Sequence, residues 1–336
     1  MTLALTASST LFLYFVPFFV SLALTYVIKN RLANARQLDI PNNRSSHRIP
    51  TPRGGGLSFV IVYLTGLAIF FGLGAISTST YIGLSIPLVM VGGIGYLDDK
   101  EHVPAKWRLL IHFLSASIAV YILTPLTISG TPSYYCVIFF ILCTTYLAWL
   151  INLFNFMDGI DGIAASEALT VILAMIIIHI SISSYDAIAI LIFLAGAISG
   201  FLIFNISPAK IFMGDIGSGS LGIMLGGLTF CSFHSSSKIF IAWNIMMAAF
   251  ITDATLTLLK RLINRERIFE AHNSHMYQRA SRYFNSHMRV TFSVCIINLF
   301  WLLPVALLFT LNQISAPISI LVAYAPLIVS FIYWRN

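Results

Sequence analysis

Eleven apolar runs occupy most of this 336-residue chain, at about 8–28, 56–75, 80–97, 108–125, 133–151, 163–181, 187–205, 217–233, 238–259, 290–311 and 314–333. A hydrocarbon layer about 30 Å thick is crossed by roughly 20 residues of helix. An open sheet at that depth would leave backbone groups unpaired in lipid. The runs therefore predict an all-α, polytopic integral membrane protein with about eleven transmembrane helices, residues 1–336 forming one domain. With 58% hydrophobic and 9% charged residues, and a mean hydropathy of +0.89, the chain has too little polar surface for a soluble domain. Runs 80–97 and 217–233 are short and Gly-rich, which predicts that they are tilted, broken or shielded by neighbours.

The charges set an orientation. Eighteen of the nineteen Lys and Arg fall in alternate connections, together with nine of the twelve carboxylates, and Lys238 is the exception. The positive-inside rule makes the segments 29–55, 98–108, 152–162, 205–216 and 260–289 cytoplasmic loops, with the N-terminus outside and the C-terminus cytoplasmic. The first run has neither a basic leader nor a small-residue cleavage site and reads as a retained anchor. A pI near 9.3 is then explained by an anionic inner leaflet, and no nucleic-acid partner is expected. Cys136, Cys143, Cys231 and Cys295 lie in apolar runs without ligand spacing and read as packing residues.

The chemistry-bearing residues gather in the cytoplasmic loops. Asp98 and Asp99 follow a long uncharged run. Adjacent carboxylates repel, and a metal or Lys106 would relieve the repulsion; a plain solvated membrane border is the simpler alternative. In Asn155-Phe156-Met157-Asp158-Gly159-Ile160-Asp161-Gly162, the residues Asn155, Asp158 and Asp161 recur every third position, which on a helix places them on nearly one face. The alternative is an acidic helix start capped by Asp161. In Asn205 to Ser220, Asp215 enters a helix start rich in Gly and Ser, including Gly217 and Ser218. Free N–H groups there suit phosphate, and a divalent cation would reconcile Asp215 with that phosphate. A Gly-rich helix start with no ligand is the bland reading.

The last loop holds His272-Asn273-Ser274-His275 and Arg279. A zinc site there lacks further ligands, and Arg with His fits a diphosphate; a basic helix on anionic lipid explains the arginines alone. His47, Arg44 and Arg53 in the first loop are weaker candidates, and Pro52-Arg53-Gly54-Gly55-Gly56 is a turn that also allows close approach of ligand. Asp253, inside the ninth run, reads equally as a partner of a cytoplasmic-side cation such as Lys260 or as a satisfied core residue. No nucleophile elbow, P-loop or dinucleotide fingerprint occurs. Converging carboxylates and cations point to metal-assisted phosphoryl chemistry at one membrane face.

At Leu97-Asp98-Asp99, Asn155 to Gly162 and Phe212-Met213-Gly214-Asp215-Ile216-Gly217-Ser218, the chain resembles the polyprenyl-phosphate N-acetylhexosamine-1-phosphate transferases, glycosyltransferase family 4. Phospho-N-acetylmuramoyl-pentapeptide transferase is a relative. The resemblance spans roughly residues 39–285. Ser274 departs from members with His there, and Arg44-Ser45-Ser46-His47 lacks a Lys that many carry; the Ser274 pattern looks most like the O-antigen initiating branch. The resemblance implies a multi-pass protein of the bacterial inner membrane with a cytoplasmic active site. It would transfer a sugar 1-phosphate from a UDP-N-acetyl sugar to undecaprenyl phosphate, releasing UMP, with Mg²⁺ or Mn²⁺ as cofactor. Expected partners are those two substrates, membrane lipid and a second copy of the chain as a homodimer. Asp158 and Asp215 would hold the metal. Asp98 and Asp99 would place the lipid phosphate, one of them serving as base. Asn155, Asp161 and Lys106 would orient the phosphates, His272 and His275 would contact the nucleotide, and Asn205, Gly217, Ser218, Arg279 and His47 would complete the binding set. A peptidoglycan or teichoic acid initiating enzyme is the near alternative, and a cation-coupled transporter the distant one.

Overall fold

The computed structural model describes residues 7–35, 38–41, 49–124, 133–233, 236–266 and 273–334. Among these, every apolar run forms helix: α1 Ala7–Asn34, α2 Leu57–Gly72, α3 Thr78–Lys100, α4 Ala105–Leu123, α5 Ser133–Met157, α6 Ile163–Ser181, α7 Ile188–Asn205, α8 Asp215–Phe233, α9 Ser237–Met246, α10 Ala248–Ile263, α11 Met276–Phe284, α12 His287–Ile297, α13 Leu303–Thr310 and α14 Ala316–Tyr333. α12 and α13 are two parts of one 24-residue helix joined by a π-helical turn, Asn298–Leu302.

Among the described residues nine helices are long and apolar enough to cross a bilayer, and the bent pair α9–α10, taken as one span, brings the number to ten. The expected second span, α2, has only 16 residues and falls short of full width. The expected ninth span is broken at Met247 by a 67° bend. A break frees carbonyls that lipid cannot satisfy. Here Tyr324 donates its hydroxyl to the carbonyl of Asn244 (2.8 Å), and Tyr146 donates to the Asn244 side-chain oxygen (2.7 Å).

The core is built around α6, α7 and α8. The Gly-rich run predicted to be shielded is α8, almost wholly buried. Small residues let its neighbours approach to backbone distance. A Cβ on Gly222 would lie 2.6 Å from the backbone of Ile151 on α5, and one on Gly95 of α3 would lie 2.5 Å from the Asp215 carbonyl. A buried acid, Glu167 on α6, accepts from Asn298 of the π turn (2.6 Å), and Asn298 also donates to Thr170 (2.8 Å). That intramembrane pair was not anticipated.

A short extended segment completes the frame. Leu38–Asp39 pairs antiparallel with Thr51–Pro52. The residues after it run along 212–213: Phe212 N–H donates to the Pro52 carbonyl (2.8 Å), Gly55 N–H to the Phe212 carbonyl (2.9 Å) and Gly56 N–H to the Met213 carbonyl (2.9 Å). The predicted Pro-Arg-Gly-Gly-Gly turn is thus an edge that fastens Arg53 beside the start of α8.

Gly95→Ala should lower the thermal midpoint of the purified protein, by about 1–3 kcal/mol of stability, because the new methyl meets backbone on α8. Gly93→Ala, two residues away with nothing within 4 Å of its Cβ position, should be neutral. Equal melting of the two variants would contradict this packing.

Candidate active site

Four carboxylate- or amide-bearing segments meet where α3, α5 and α8 end on one face. Asp99, at the end of α3, accepts from the backbone N–H of Asp215 (2.9 Å) and of Ile216 (3.1 Å). It therefore caps α8 from another helix. The next two amides, of Gly217 and Ser218, both donate to the Gly214 carbonyl (3.0 Å each). Gly214 has φ +76°, and a Cβ there would lie 2.4 Å from the Asp99 carboxylate, so only glycine admits this cap. The sequence suggested a substrate phosphate at these amides. The protein's own carboxylate and the turn carbonyl hold them instead.

Two arginines knit the cluster. Arg53 Nε lies 2.8 Å from Asp99, and its Nη2 donates to Asp215. Arg108 Nη1 lies 2.6 Å from Asp98 and 2.7 Å from Asp215. Asp98 also accepts from the Val103 N–H (2.8 Å), closing the loop that leads into α4. Arginines, rather than a lysine, pair with both acids, and the like charge that presses on each is that of Asp215 rather than of its sequence neighbour. Lys106 does not pair with them: it is exposed, with its ammonium 5.5 Å from the Trp107 ring. Both residues lie in the first turn of α4, and two positions turn a helix by about 200°, so Arg108 faces the acids and Lys106 faces away.

Two cavities open at this cluster. The polar one, of about 250 Å³, is lined among others by Arg53, Asn155, Asp158, Asp161, Asn205, Phe212, Asp215, Ser218 and His287. The second, of about 550 Å³, is mostly apolar and includes Leu109, Phe113, Trp149, Phe156, Leu258, Arg108 and His112. Asn155, Asp158, Gly159 and Gln278 line both. Among the described residues Asp158 is the one carboxylate on their common wall. Arg53 belongs to the polar cavity and Arg108 to the apolar one, and they meet on Asp215.

α5 stops at Met157, so Asn155 alone is helical, and Asp158 and Asp161 lie in the following turn. The three face one cavity through tertiary arrangement rather than helical periodicity. Asn155 donates to Ser218 Oγ (3.0 Å). Asp161 does not cap α6, whose N-cap is Gly162. It accepts from the Ala209 N–H (3.2 Å), lies 3.2 Å from His287 Nδ1, and its carbonyl accepts from Thr291 (3.0 Å). Burial pushes the Asp161 carboxyl up, but His287, the Ala209 amide and Ser207 more than offset this and hold it below its ordinary range. Asp158 has no such relief. Burial first, then the charges of Asp215, Asp99 and Asp161, outweigh Arg53 and push it up to about 7. Arg53, despite burial, is held charged by Asp215, Asp99 and Asp39.

Other expected residues fall elsewhere. Asn205 lines the polar cavity and donates to the Ile211 carbonyl (3.0 Å), bracing the turn before α8. Gly217 packs on Gly56 and Met213 and is a crossing point of backbones. Arg279 donates to the carbonyl of Trp334 at the end of α14 (3.1 Å), away from both cavities. His275 is buried on the wall of the apolar cavity, where its ring stacks beside Phe156 and Tyr277. Asp253 is a satisfied core residue: it accepts from the Met276 and Tyr277 amides (2.9 Å each) and lies 3.4 Å from His275. Asp98 and Asp99 are bound into the cluster, and neither is on the wall of the two cavities. His47, Arg44 and His272 lie outside the described residues. The reading missed Arg108, His287 and Gln278. An Arg in the first turn of a membrane helix beside two acids was the available signal for the first; the others come from distant positions with none.

Asp158 and Asp215, the residues expected to hold a divalent cation, both line the polar cavity, and Arg53 and Arg108 each bind one oxygen of Asp215. Among the described residues no group of three His, Cys, Asp or Glu converges on one point. That donor set fits a cation shared with substrate phosphates, as Mg²⁺ commonly is, rather than a closed protein cage.

Residues 81–233 match the family described as glycosyl transferase family 4. Over that span the chain is similar to that family. It is 25% identical, over 79% of its length and 75% of the relative's, to the probable undecaprenyl-phosphate N-acetylglucosaminyl 1-phosphate transferase of Bacillus subtilis. It is 27% identical to the decaprenyl-phosphate N-acetylglucosaminephosphotransferase of Mycobacterium leprae, over 79% of this chain and 74% of the relative. It is 29% identical to the phospho-N-acetylmuramoyl-pentapeptide-transferase of Streptococcus agalactiae, over 57% of this chain and 63% of the relative. The matched span holds Asp98, Asp99, Arg108, Asn155, Asp158, Asp161 and Asp215; Arg53 and His287 lie outside it.

Because the folded state binds a proton at Asp158 more tightly than the unfolded chain does, ionising it costs stability as pH rises from about 4 to about 7. Asp158→Asn should therefore raise the thermal midpoint of the ligand-free protein by a few degrees at about pH 8 and have little effect at about pH 5. A lower midpoint at the higher pH would show that attraction to Arg53 outweighs desolvation.

Proposed function

We propose that this protein transfers an N-acetylhexosamine 1-phosphate from a UDP-sugar to undecaprenyl phosphate, releasing UMP and beginning a lipid-linked surface polysaccharide such as O-antigen. The observation that carries the reading is the meeting of a polar and an apolar cavity at Asn155, Asp158, Gly159 and Gln278. The polar cavity suits a nucleotide diphosphate-sugar and the apolar one a polyprenyl chain, so the two phosphate groups would meet at the common wall. The names of the relatives support the same pairing of substrates.

In the reaction an oxygen of the acceptor phosphate attacks the sugar-bearing phosphorus, and the bond from that phosphorus to the bridging oxygen breaks, leaving UMP. A phosphate monoester has a second pKa of about 6 and is largely a dianion at neutral pH, so little proton removal is needed. What the chain must provide is in-line placement and neutralised charge. Arg53 and Arg108 enter from the two cavities and provide fixed positive charge at the junction. Asn155, with Ser218, and Asp161, with His287, shape the polar wall. Bound at Asp158 and Asp215, Mg²⁺ or Mn²⁺ would supply further charge to the diphosphate.

The reading places the protein in a bacterial cytoplasmic membrane with this site on the cytoplasmic face. Single cysteines at Ser77→Cys and Asn273→Cys test that orientation: an impermeant thiol reagent should label the first in intact cells and the second only after the membrane is opened. External labelling at 273 would overturn it. Peptidoglycan or teichoic acid initiation uses the same chemistry with another sugar. A coupled transporter would carry its acids near the midplane, whereas here they gather where helices end.

The decisive measurement is UMP release by purified protein from a panel of UDP-sugars with undecaprenyl phosphate, with and without EDTA. Turnover should need both substrates and stop with chelator. Arg108→Ala should cost about a hundredfold or more in kcat, whereas Lys106→Ala should retain near-native turnover. Loss of activity at Lys106 with survival at Arg108 would reverse the assignment drawn from α4.

A further inference from the structure

One side chain on the common wall of the two cavities has donors to spare. Of the four residues there, Asn155 donates to Ser218, Asp158 is a carboxylate and Gly159 has no side chain. The fourth, Gln278, is the third residue of α11 and is buried. Its Oε1 accepts from the His275 N–H (3.3 Å), as the third residue of a helix does when it reaches back to the cap. That bond decides which way the carboxamide faces. With Oε1 turned to the backbone, Nε2 points away from it. Among the described residues nothing accepts from Nε2, and the atom is not sealed off. Two N–H groups are therefore open where both cavities meet.

The place of that amide is set from three sides. Asp253 on α10 accepts from the first two amides of α11, and the Tyr277 hydroxyl donates to the Phe156 carbonyl at the end of α5 (2.9 Å). Gly159 supplies the third side: a Cβ there would collide with the Tyr277 hydroxyl and lie 2.9 Å from Gln278 Nε2. The carboxamide thus rests on the turn that carries Asp158 and Asp161. A lysine or arginine in that place would be drawn into an ion pair with those acids. A carboxamide has no charge, so its N–H groups stay available to an oxygen that arrives between the cavities.

We infer that Gln278 is a catalytic residue of the transfer, donating a hydrogen bond to a non-bridging oxygen of the phosphorus under attack. It takes this role only if the polar cavity holds the nucleotide sugar and the apolar one the lipid phosphate, as proposed above. In phosphoryl transfer, charge is spread over the three non-bridging oxygens while the bond to the acceptor oxygen forms and the bond to the bridging oxygen breaks. A donor already fixed at that point costs no reorganisation as the charge develops. No proton changes hands at Gln278, and UMP leaves with the bridging oxygen.

The test is UMP release by the purified full-length protein with undecaprenyl phosphate and the most active donor of a UDP-sugar panel, measured alongside thermal melting. Gln278→Glu keeps an oxygen for the His275 N–H and removes the donor. It should melt near the wild-type midpoint and lose about a hundredfold or more in kcat, with either KM changed by less than about threefold. Gln278→Met, of similar size and without charge, separates that loss from repulsion by Asp158. It should show the same fall in kcat, at a lower midpoint because the His275 N–H loses its acceptor. Wild-type kcat in the Gln278→Glu protein, with loss only in Gln278→Met, would make Gln278 a helix cap and nothing more. A raised KM with kcat unchanged would make it a ground-state contact. Either result overturns the inference while leaving the transfer reaction in place. A wild type inactive with every donor would overturn the substrate reading itself, and the role of Gln278 with it.

Discussion

The capping of α8 by Asp99 is the interaction on which the site depends. Helix α8 is buried for nearly its whole length, and its first amides emerge where several carboxylates converge. A buried helix start needs an anion or an acceptor. Asp99 supplies it from α3, and glycines at 95 and 214 bring the two helices close enough for the bonds to form. The cap fixes where Asp215 stands. Asp215 in turn fixes Arg53 and Arg108, and these define the inner ends of the two cavities.

The arrangement gives every carboxylate of the cluster a cationic partner. Asp98, Asp99 and Asp215 share two guanidinium groups, each bridging two carboxylates. Breaking one partner of such a partly buried network leaves an uncompensated charge. Asp158 stands outside this pairing. It faces both cavities with carboxylates around it and only Arg53 to offset them, so its carboxyl is pushed up to about 7. A group held in this way is stabilised by whatever positive charge arrives, which is the behaviour expected of a ligand-binding position rather than of a structural one.

Some conclusions follow from chemistry that the chain cannot avoid. The length of each apolar run requires a helix, since no other element satisfies its backbone in lipid, and the helices stand where the runs are. Charges concentrated in alternate connections mark the face on which polar work is possible. Asn155, Asp158, Asp161, Asn205, Asp215 and Ser218 could be singled out because polar residues among apolar neighbours are costly, and all six line the polar cavity.

What the sequence by itself determined, then, was the class of fold and the set of residues with chemistry to perform, because hydropathy and the cost of burying polar groups act locally. Only the tertiary structure decided their partners. Amide groups at the start of α8 looked available for phosphate until α3 delivered Asp99 to them. Lys106 and Arg108 differ in sequence by two positions, yet the helix turn sends one to the surface and the other onto Asp215 and Asp98. Arg279 and His275 share one short segment, yet the first closes α14 and the second packs against Phe156. The bend at Met247 and the short α2 were likewise hidden in runs of unbroken hydropathy. Contacts between residues a hundred or more positions apart carry no local signature, because they depend on how close two backbones can come, and small side chains on both helices settle that together.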